Sequence, residues 1–142
     1  MSYVTLEKLI SKFGARELVL LTDRAVPASG EIDEAIVAEA IAATDAEINA
    51  YLTRRYSLPL SPVPLLIENL AAPMARYHLH VEHAPAQVEK QYEAALRTLR
   101  DIASGKASLG DDDAAADLPS PSQGPRVQAG DPVFTTETLK GF

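Results

Sequence analysis

Residues 45–81 read DAEINAYLTRRYSLPLSPVPLLIENLAAPMARYHLHV, and this stretch decides the fold. It begins as a helical pattern that ends in Arg54, Arg55 and Tyr56. Prolines at 59, 62 and 64 follow, and each fixes φ and lacks a backbone N–H, so a helix cannot continue there. A second helical pattern starts near Pro64, where the missing donor costs nothing. The stretch predicts a helix, a stiff proline-rich elbow and another helix, and it contains no residue set typical of an active site.

The flanking sequence predicts more helices, which gives an all-α domain: a small bundle of about four helices around one long central helix. Gly14 and Gly105 each follow a helical pattern, at the position just past a helix end. Pro73 lies inside the helix after the elbow, so we expect a bend near Asn69–Pro73. The predicted helical segments, including two short ones at the N-terminus, cover residues 5–13, 15–21, 33–56, 64–82 and 85–104.

Mostly apolar residues, spaced three and four positions apart, predict the buried face of each long helix. In the central helix these residues are Ile36, Val37, Ala40, Ile41, Thr44, Ile48, Tyr51, Leu52 and Arg55. In the helix after the elbow they are Leu66, Leu70, Met74, Tyr77 and Val81. In the last helix they are Val88, Tyr92, Ala95, Leu96, Leu99 and Ile102.

The composition limits the possible classes of function. The chain has 142 residues, no cysteine and a formal charge of −7. The lack of cysteine excludes thiolate nucleophiles, disulfides and cysteine-based zinc sites. The negative charge argues against sequence-independent binding to nucleic acid, which depends on Lys and Arg neutralising phosphates. The N-terminus lacks the features of a signal peptide, and no window approaches the roughly 18 apolar residues of a membrane span, so we expect a soluble protein made in a cytoplasm.

The acidic loop at residues 22–31 resembles a calcium loop only superficially. A calcium loop needs oxygen ligands at alternating positions after its first Asp. After Asp23 those positions are occupied by Ala25 and Pro27, so the pattern fails. Asp23, Glu31 and Asp33 are better interpreted as turn and cap residues, because acidic side chains are favoured at a helix start.

The histidines at 78, 80 and 83 form the one grouping that suggests a transition-metal site. On a helix His78 and His80 would point about 200° apart, because each residue turns the helix by roughly 100°. A catalytic zinc site usually needs three converging ligands. We therefore interpret them as ordinary surface histidines near a helix end, whose charge varies near neutral pH. The sequence predicts no cofactor and no enzymatic activity.

The sequence divides into three parts: a helical domain at residues 1–104, a flexible linker at 105–130 and a C-terminal segment at 131–142. The linker is rich in Gly, Pro, Ser and Asp, which opposes independent folding. The C-terminal segment, DPVFTTETLKGF, regains apolar residues. We expect it to dock, either on its own domain or on a neighbour, and a loose tail is the alternative.

Residues in the last turn of the central helix and in the elbow after it are the other candidates for contacts with partners. Arg54 and Arg55 suit a contact to phosphate or to a partner's carboxylates, although two cations at a helix C-terminus also complement the helix dipole. Together with the C-terminal segment, the candidate interface residues are Arg54, Arg55, Tyr56, Leu58, Leu60, Val133, Phe134, Leu139 and Phe142.

Several blocks of the sequence resemble the neck proteins of Mu-like phages and prophages, which are grouped with the head-completion, or head–tail adaptor, proteins of tailed phages. The most specific block is YLTRRYSLPL at residues 51–60. Relatives often have an acidic, glycine-rich loop after LTDR, whereas this chain has AVPASG, which leaves no basis for an ion-linked role of the loop. The other blocks are YVTLEKLISKFG, LTDR, IDEAIV, DAEINAYL, ARYHL and FTTETLKGF.

The resemblance implies a small helical virion protein that forms a ring beneath the portal, usually with twelvefold symmetry. Such a ring would complete the head, extend the DNA channel and dock the tail or a tail-completion protein. DNA would pass through without specific binding, and the protein would be located at the virion neck after assembly in the host cytoplasm. The alternative is a small regulatory or DNA-binding module of a mobile element, because two short N-terminal helices joined by a glycine resemble a helix–turn–helix.

Overall fold

The computed structural model describes residues 2–109, and in this part of the chain every regular element is a helix. The all-α prediction is therefore confirmed. The five helices are α1 (Leu6–Phe13), α2 (Ala15–Thr22), α3 (Glu34–Leu52), α4 (Leu65–Leu79) and α5 (Ala86–Ala103). Helix α4 packs against both α3 and α5, which also contact each other, while α1 and α2 pack together and against the same bundle.

The short helices α1 and α2 have the predicted bounds to within one residue. Thr5 caps α1, since its hydroxyl accepts from the backbone N–H of Lys8 at 3.4 Å. Gly14 has φ of +88°, which lies in the left-handed region that glycine adopts without a steric cost, and its N–H donates to the carbonyl of Ile10. The glycine therefore ends α1 and lets α2 start in a new direction.

The central helix α3 has 19 residues and is shorter than predicted. Asp33 caps its N-terminus, because its carboxylate accepts from the N–H groups of Ala35 and Ile36. The helix ends at Leu52, not at Tyr56, because the N–H groups of Arg55 and Tyr56 both donate to the carbonyl of Leu52 at 2.9 Å and tighten the chain into a turn. The prediction of a last turn containing Arg54 and Arg55 was wrong.

The predicted face of α3 is confirmed in the helix itself. Ile36 and Tyr51 are half-buried at its edges. The hydroxyl of Thr44 is accommodated in the core because it donates to the carbonyl of Ala40 at 2.8 Å. The fully buried members are Val37, Ala40, Ile41, Thr44, Ile48 and Leu52.

The predicted face of α4 was correct for its three middle members, which are buried or half-buried, and wrong for the two at its ends. Leu66 is 38% exposed and Val81, which lies beyond the helix end at Leu79, is 72% exposed. A single stripe was expected, but α4 lies against α3 on one side and α5 on the other, so its buried surface is wider and is lined by small residues. Its buried residues are Ile67, Ala71, Ala72, Met74, Ala75 and Leu79.

Helix α4 runs continuously through Pro73. Pro64 precedes its first residue as the cap, with φ of −63° and ψ of 141°, and is not part of the first turn. Since proline has no N–H, the carbonyl of Asn69 lacks its usual partner one turn below Pro73. The bend near Asn69–Pro73 stays a prediction.

The last helix and its end agree with the sequence analysis. The predicted face of α5 is confirmed: four of its members are buried and Tyr92 and Leu96 are half-buried. Gly105 follows the helix with φ of +83°, and a Cβ at this position would collide with the Arg55 guanidinium. Beyond it, Ala107 and Leu109 still pack against the core.

The N-terminal residues before α1 also belong to the core, which the sequence analysis did not predict. Tyr3 and Val4 are buried, at 3% and 1% exposure. The backbone N–H of Tyr3 donates to Asp45 at 2.9 Å, and its phenol donates to the Asn49 side chain. Both partners lie on α3, so the N-terminal segment is fixed to the central helix.

Candidate functional site

The apolar residues of the elbow face inward. Tyr56 and Leu60 are 4% and 3% exposed and belong to the core, while Leu58 and Val63 are half-buried and pack against it. Tyr56 and Leu60 were predicted to contact a partner. In this conformation their side chains are covered by their own domain, because the elbow folds back over the ends of the helices that it connects.

Arg55 is also directed into the domain. Its Nη1 donates to the carbonyl of Ile102 at 3.5 Å, and its guanidinium lies 5.8 Å from the centre of the Tyr56 ring. A cation beside the C-terminal carbonyls of α5 complements the partial negative charge of that helix end. Arg55 therefore joins the elbow to α5, a structural role at a different helix end from the one that the sequence analysis considered.

Arg54, in contrast, is exposed and lines a pocket at the surface. The pocket has a volume of about 380 Å³ and lies between the C-terminal ends of α3 and α5. Arg54 and Arg100 are its charged lining residues in the part of the chain that the structure describes, and no carboxylate of that part lines it. Within residues 2–109 neither arginine forms a salt bridge. Among the described residues the lining is Ala50, Tyr51, Arg54, Arg100, Ala103 and Ser104.

This arginine pocket is suited to a carboxylate or another anion. Two guanidinium groups offer several N–H donors in fixed planar geometry, and such groups bind carboxylates by paired hydrogen bonds. The neighbouring Tyr51 and Ser104 add polar atoms. Of the candidate interface residues predicted in and around the elbow, only Arg54 is fully exposed.

A cluster of polar and aromatic side chains lies near the C-terminal end of α4, where this helix meets α3 and α5. Glu47 of α3 accepts from the hydroxyl of Tyr92 of α5 at 2.7 Å, and its other carboxylate oxygen lies 3.1 Å from Nε2 of His78 of α4. The Tyr77 and Tyr92 rings stack in parallel with centroids 4.0 Å apart. Burial, together with the bond to Glu47, raises the pKa of the Tyr92 phenol. The group connects α3, α4 and α5.

The histidines do not converge. His78 contacts Glu47, His80 caps α4 with Nε2 buried and without a protein partner in the described chain, and His83 is exposed. Burial and the nearby Arg76 lower the pKa of His80. Residues 2–109 contain no group of three His, Asp or Glu side chains placed to hold a metal ion. His78 is not an ordinary surface histidine, because it packs edge-on against the Tyr77 and Tyr92 rings.

The acidic loop is organised by Asp23. Its carboxylate accepts from the backbone N–H groups of Ala25, Ser29 and Gly30 and from the Ser29 hydroxyl, at 2.7–3.4 Å. These bonds lower the pKa of Asp23, the bond from Gly30 most strongly. The carboxylate therefore folds the loop around itself, as expected of a turn residue.

Several large apolar side chains remain in water on the described surface. They lie on different elements: α2, the loop after it, the start of α4 and the segment after α4. The most exposed are Leu20 (76%), Val26 (97%), Leu65 (71%) and Val81 (72%). The predicted contact residues Val133, Phe134, Leu139 and Phe142 lie outside the described residues, as does most of the predicted linker. No described helix is both long and apolar enough to cross a membrane.

Comparison with known proteins places these features in a family. The model of the family described as Bacteriophage Mu, Gp36 matches residues 3–129, which covers all five helices. This chain belongs to the phage Mu Gp36 family. Family membership supports the phage origin that the sequence blocks implied, and this Gp36-family chain is a protein of Mu-like phages and prophages.

Two relatives align with the Gp36-family chain over almost their entire lengths. The Mu-like prophage FluMu protein gp36 of Haemophilus influenzae (strain ATCC 51907 / DSM 11121 / KW20 / Rd) is 34% identical over 142 residues, which is 99% of this chain and 97% of the relative. Gene product J of Escherichia phage Mu is 31% identical over 142 residues, which is 100% of this chain and 99% of the relative. The similarity therefore extends into the C-terminal region beyond residue 109.

Proposed function

We propose that this protein is a structural component of the virion: a head–tail adaptor that forms a ring beneath the portal, completes the head and docks the tail. The observation that carries the proposal is family membership over residues 3–129, combined with the blocks that resemble neck proteins. The domain is proposed to act by protein–protein contact and not as an enzyme, and it needs no cofactor.

The exposed apolar side chains support a role in assembly. Leu20, Val26, Leu65 and Val81 lie on four different segments of a small domain. Scattered apolar residues are common on monomers. A ring subunit, however, is covered on several sides, by two neighbours and by one partner above and one below, so apolar residues on several sides fit this arrangement.

The arginine pocket is proposed to be one of the contacts between subunits or with the portal. The whole chain carries −7, so copies of it repel each other electrostatically. Arg54 and Arg100 line the pocket and would attract a carboxylate of the neighbouring protein, which offsets this repulsion locally. The overall acidity also suits a channel through which DNA slides without specific binding.

The experiment is a cryo-electron microscopy reconstruction of the neck of the encoding phage, combined with quantitative mass spectrometry of purified virions. We expect a ring of helical domains directly below the portal into which residues 2–109 fit, and a copy number equal to that of the ring subunits. Absence of the protein from purified virions would contradict the proposal.

The alternative, a DNA-binding module, has less support in the structure. The only basic residue of α2 is Arg16, and Glu17 of the same helix pairs with Arg76 of α4 at 2.6 Å. A recognition helix would be expected to present several basic or polar groups to DNA. Salt-sensitive binding of the purified protein to duplex DNA would favour this alternative.

A further inference from the structure

An apolar groove crosses the side of the domain away from the arginine pocket. It lies between the C-terminal end of α1 and the middle parts of α4 and α5, and its volume is about 380 Å³. Its lining is Lys12, Phe13, Leu70, Pro73, Gln91, Ala94, Ala95 and Thr98. Among the described residues no side chain fills it.

Small residues and a proline create the space. Ala94 and Ala95 form the α5 side, and Ala95 is a buried floor residue at 2% exposure. Pro73 contributes a ring without an N–H, so this part of the α4 surface offers no backbone donor. Leu70 and Phe13 complete the apolar wall and are half-buried. Apolar groups in such a groove lose contact with water only when a further polypeptide segment covers them.

The Phe13 ring, which forms the aromatic wall of the groove, is held in place by Arg76. The guanidinium of Arg76 lies 4.7 Å from the centre of the Phe13 ring, within the range of a cation–π contact. Arg76 is itself fixed by Glu17, to which its Nε donates at 2.6 Å. At the rim, Lys12 donates to the Asn69 side chain at 2.8 Å. The groove therefore has a preformed apolar wall and a polar rim, an arrangement that is common at protein–protein interfaces.

The same chain contains a segment with matching chemistry. Residues 131–142 (DPVFTTETLKGF) hold four of the apolar residues that follow Leu109, namely Val133, Phe134, Leu139 and Phe142. The acidic residues Asp131 and Glu137 outnumber the single Lys140. This suits a groove in which Lys12 is the only charged lining residue among residues 2–109.

The tether is long enough for this segment to reach the groove. Leu109 packs against the core, so residues 110–142 start from the domain surface. Residues 110–130 would span on average about 25 Å as a flexible chain of about 20 residues. From the end of α5 back to Ala94 the distance along the helix is roughly 14 Å. A tether of this length gives the segment an effective concentration in the millimolar range at its own groove, higher than that of any second copy in dilute solution.

We propose that residues 131–142 dock in the groove of their own chain, with an aromatic side chain of the segment placed between Phe13, Pro73 and Ala94. The inference does not depend on the virion role. It identifies the receptor surface for the C-terminal segment in the free protein.

The absence of cysteine makes a direct test possible. In the full-length protein, Thr136→Cys provides a single site for a nitroxide spin label, and paramagnetic broadening is read on ¹⁵N-labelled amides. We expect strong broadening at Phe13, Leu70 and Ala94 and none at Ala38 on α3. Broadening confined to other surfaces, or none in the domain, would overturn the proposal.

A mixed sample separates the chain's own segment from that of a second copy. Spin-labelled protein without ¹⁵N is mixed with ¹⁵N-labelled protein without the spin label at micromolar concentration. We expect no broadening of the groove amides in this mixture. Broadening equal to that of the doubly labelled chain would show docking by a second copy and would overturn the commitment to the chain's own segment.

Two variants test the groove itself. Ala94→Glu places a charge in the apolar groove, while Ala38→Glu makes the same change at an exposed helical alanine outside it. We expect A94E to reduce the broadening at Phe13 and Leu70 to background and A38E to leave it unchanged, with equal helicity in both. If A94E does not fold, Phe134→Ser changes only the segment and should release it. Unchanged broadening in F134S and in a folded A94E would overturn the proposal.

Discussion

At the residue scale, individual polar side chains fix the connections between helices. Asp33 caps α3, and its backbone N–H donates to the Thr22 hydroxyl at 3.0 Å, which connects the end of α2 to the start of α3. Between these residues, the Asp23 carboxylate stabilises the loop by accepting four hydrogen bonds. Such bonds can replace a packed core in a short loop, because three of them satisfy backbone donors that would otherwise need water.

The Asp23 bonds make the loop sensitive to acid. The pKa of Asp23 lies below its ordinary value of 3.8, so the carboxylate stabilises the loop above that pH and the effect is lost as the pH falls through the folded-state pKa. We expect the amide shifts of Ser29 and Gly30 to titrate with a midpoint below 3.8. In Asp23→Asn this titration should disappear and hydrogen exchange at both amides should rise. A midpoint at or above the ordinary value would contradict the assignment.

The hydrogen bond from Tyr92 to Glu47 can be tested by removing its donor. Tyr92→Phe removes the hydroxyl that donates to Glu47 but keeps the ring that stacks on Tyr77. We expect the free energy of unfolding to fall by about 1 kcal/mol, the usual net contribution of one hydrogen bond. The measurement is chemical denaturation at neutral pH, with Tyr51→Phe as a matched control on α3, for which no hydrogen bond of the hydroxyl is observed within the described chain. An unchanged free energy of unfolding in Tyr92→Phe would show that the hydrogen bond to Glu47 does not stabilise the fold.

At the scale of elements, the sequence specified which segments are helical better than which surfaces they bury. The capping residues and glycines place the ends of α1, α2 and α5 correctly because their signals are local. The end of α3 was missed because the chain turns at Leu52, before the prolines prevent a helix. The width of the buried surface of α4 was missed because a helix packed on two sides also buries small residues such as Ala71 and Ala75, which do not stand out as an apolar stripe.

A pair of variants in α4 tests the observed face. Ile67 is fully buried, whereas Leu65, two positions earlier, is 71% exposed. Ile67→Ala should lower the free energy of unfolding by about 2–5 kcal/mol, because it leaves a cavity in the core. Leu65→Ala should change it by no more than about 0.5 kcal/mol, as is usual for surface positions. Equal effects of the two changes would contradict the orientation of α4.

At the scale of the whole molecule, the contact residues were harder to predict than the fold. Of the predicted contact residues in and around the elbow, Tyr56 and Leu60 are buried, Leu58 is half-buried and Arg55 binds a helix end, which leaves Arg54 as the exposed one. Sequence reasoning could not separate the two arginines because they are adjacent and chemically identical. The partnership of Arg54 with Arg100, and the meeting of Glu47, His78 and Tyr92, arise from tertiary packing and have no local signal.

The proposed role of the arginine pocket leads to a prediction about assembly. Arg54→Glu should leave the free energy of unfolding within about 0.5 kcal/mol of the original, because Arg54 is exposed. It should weaken association with the portal or with neighbouring subunits, measured by co-sedimentation with purified portal rings. Arg24→Glu, at another exposed arginine, is the matched control. Equal association of the two variants with the portal rings would contradict the proposal that the arginine pocket is part of the interface.

The most direct test of the adaptor proposal is made in the phage or prophage that encodes the protein. The gene is deleted, with a plasmid-borne copy as the control, and the particles released on induction are counted by electron microscopy. The proposal predicts DNA-filled or leaking heads alongside separate, finished tails, and intact virions when the gene is restored. Normal numbers of intact virions without the gene would contradict the proposal and favour the regulatory alternative.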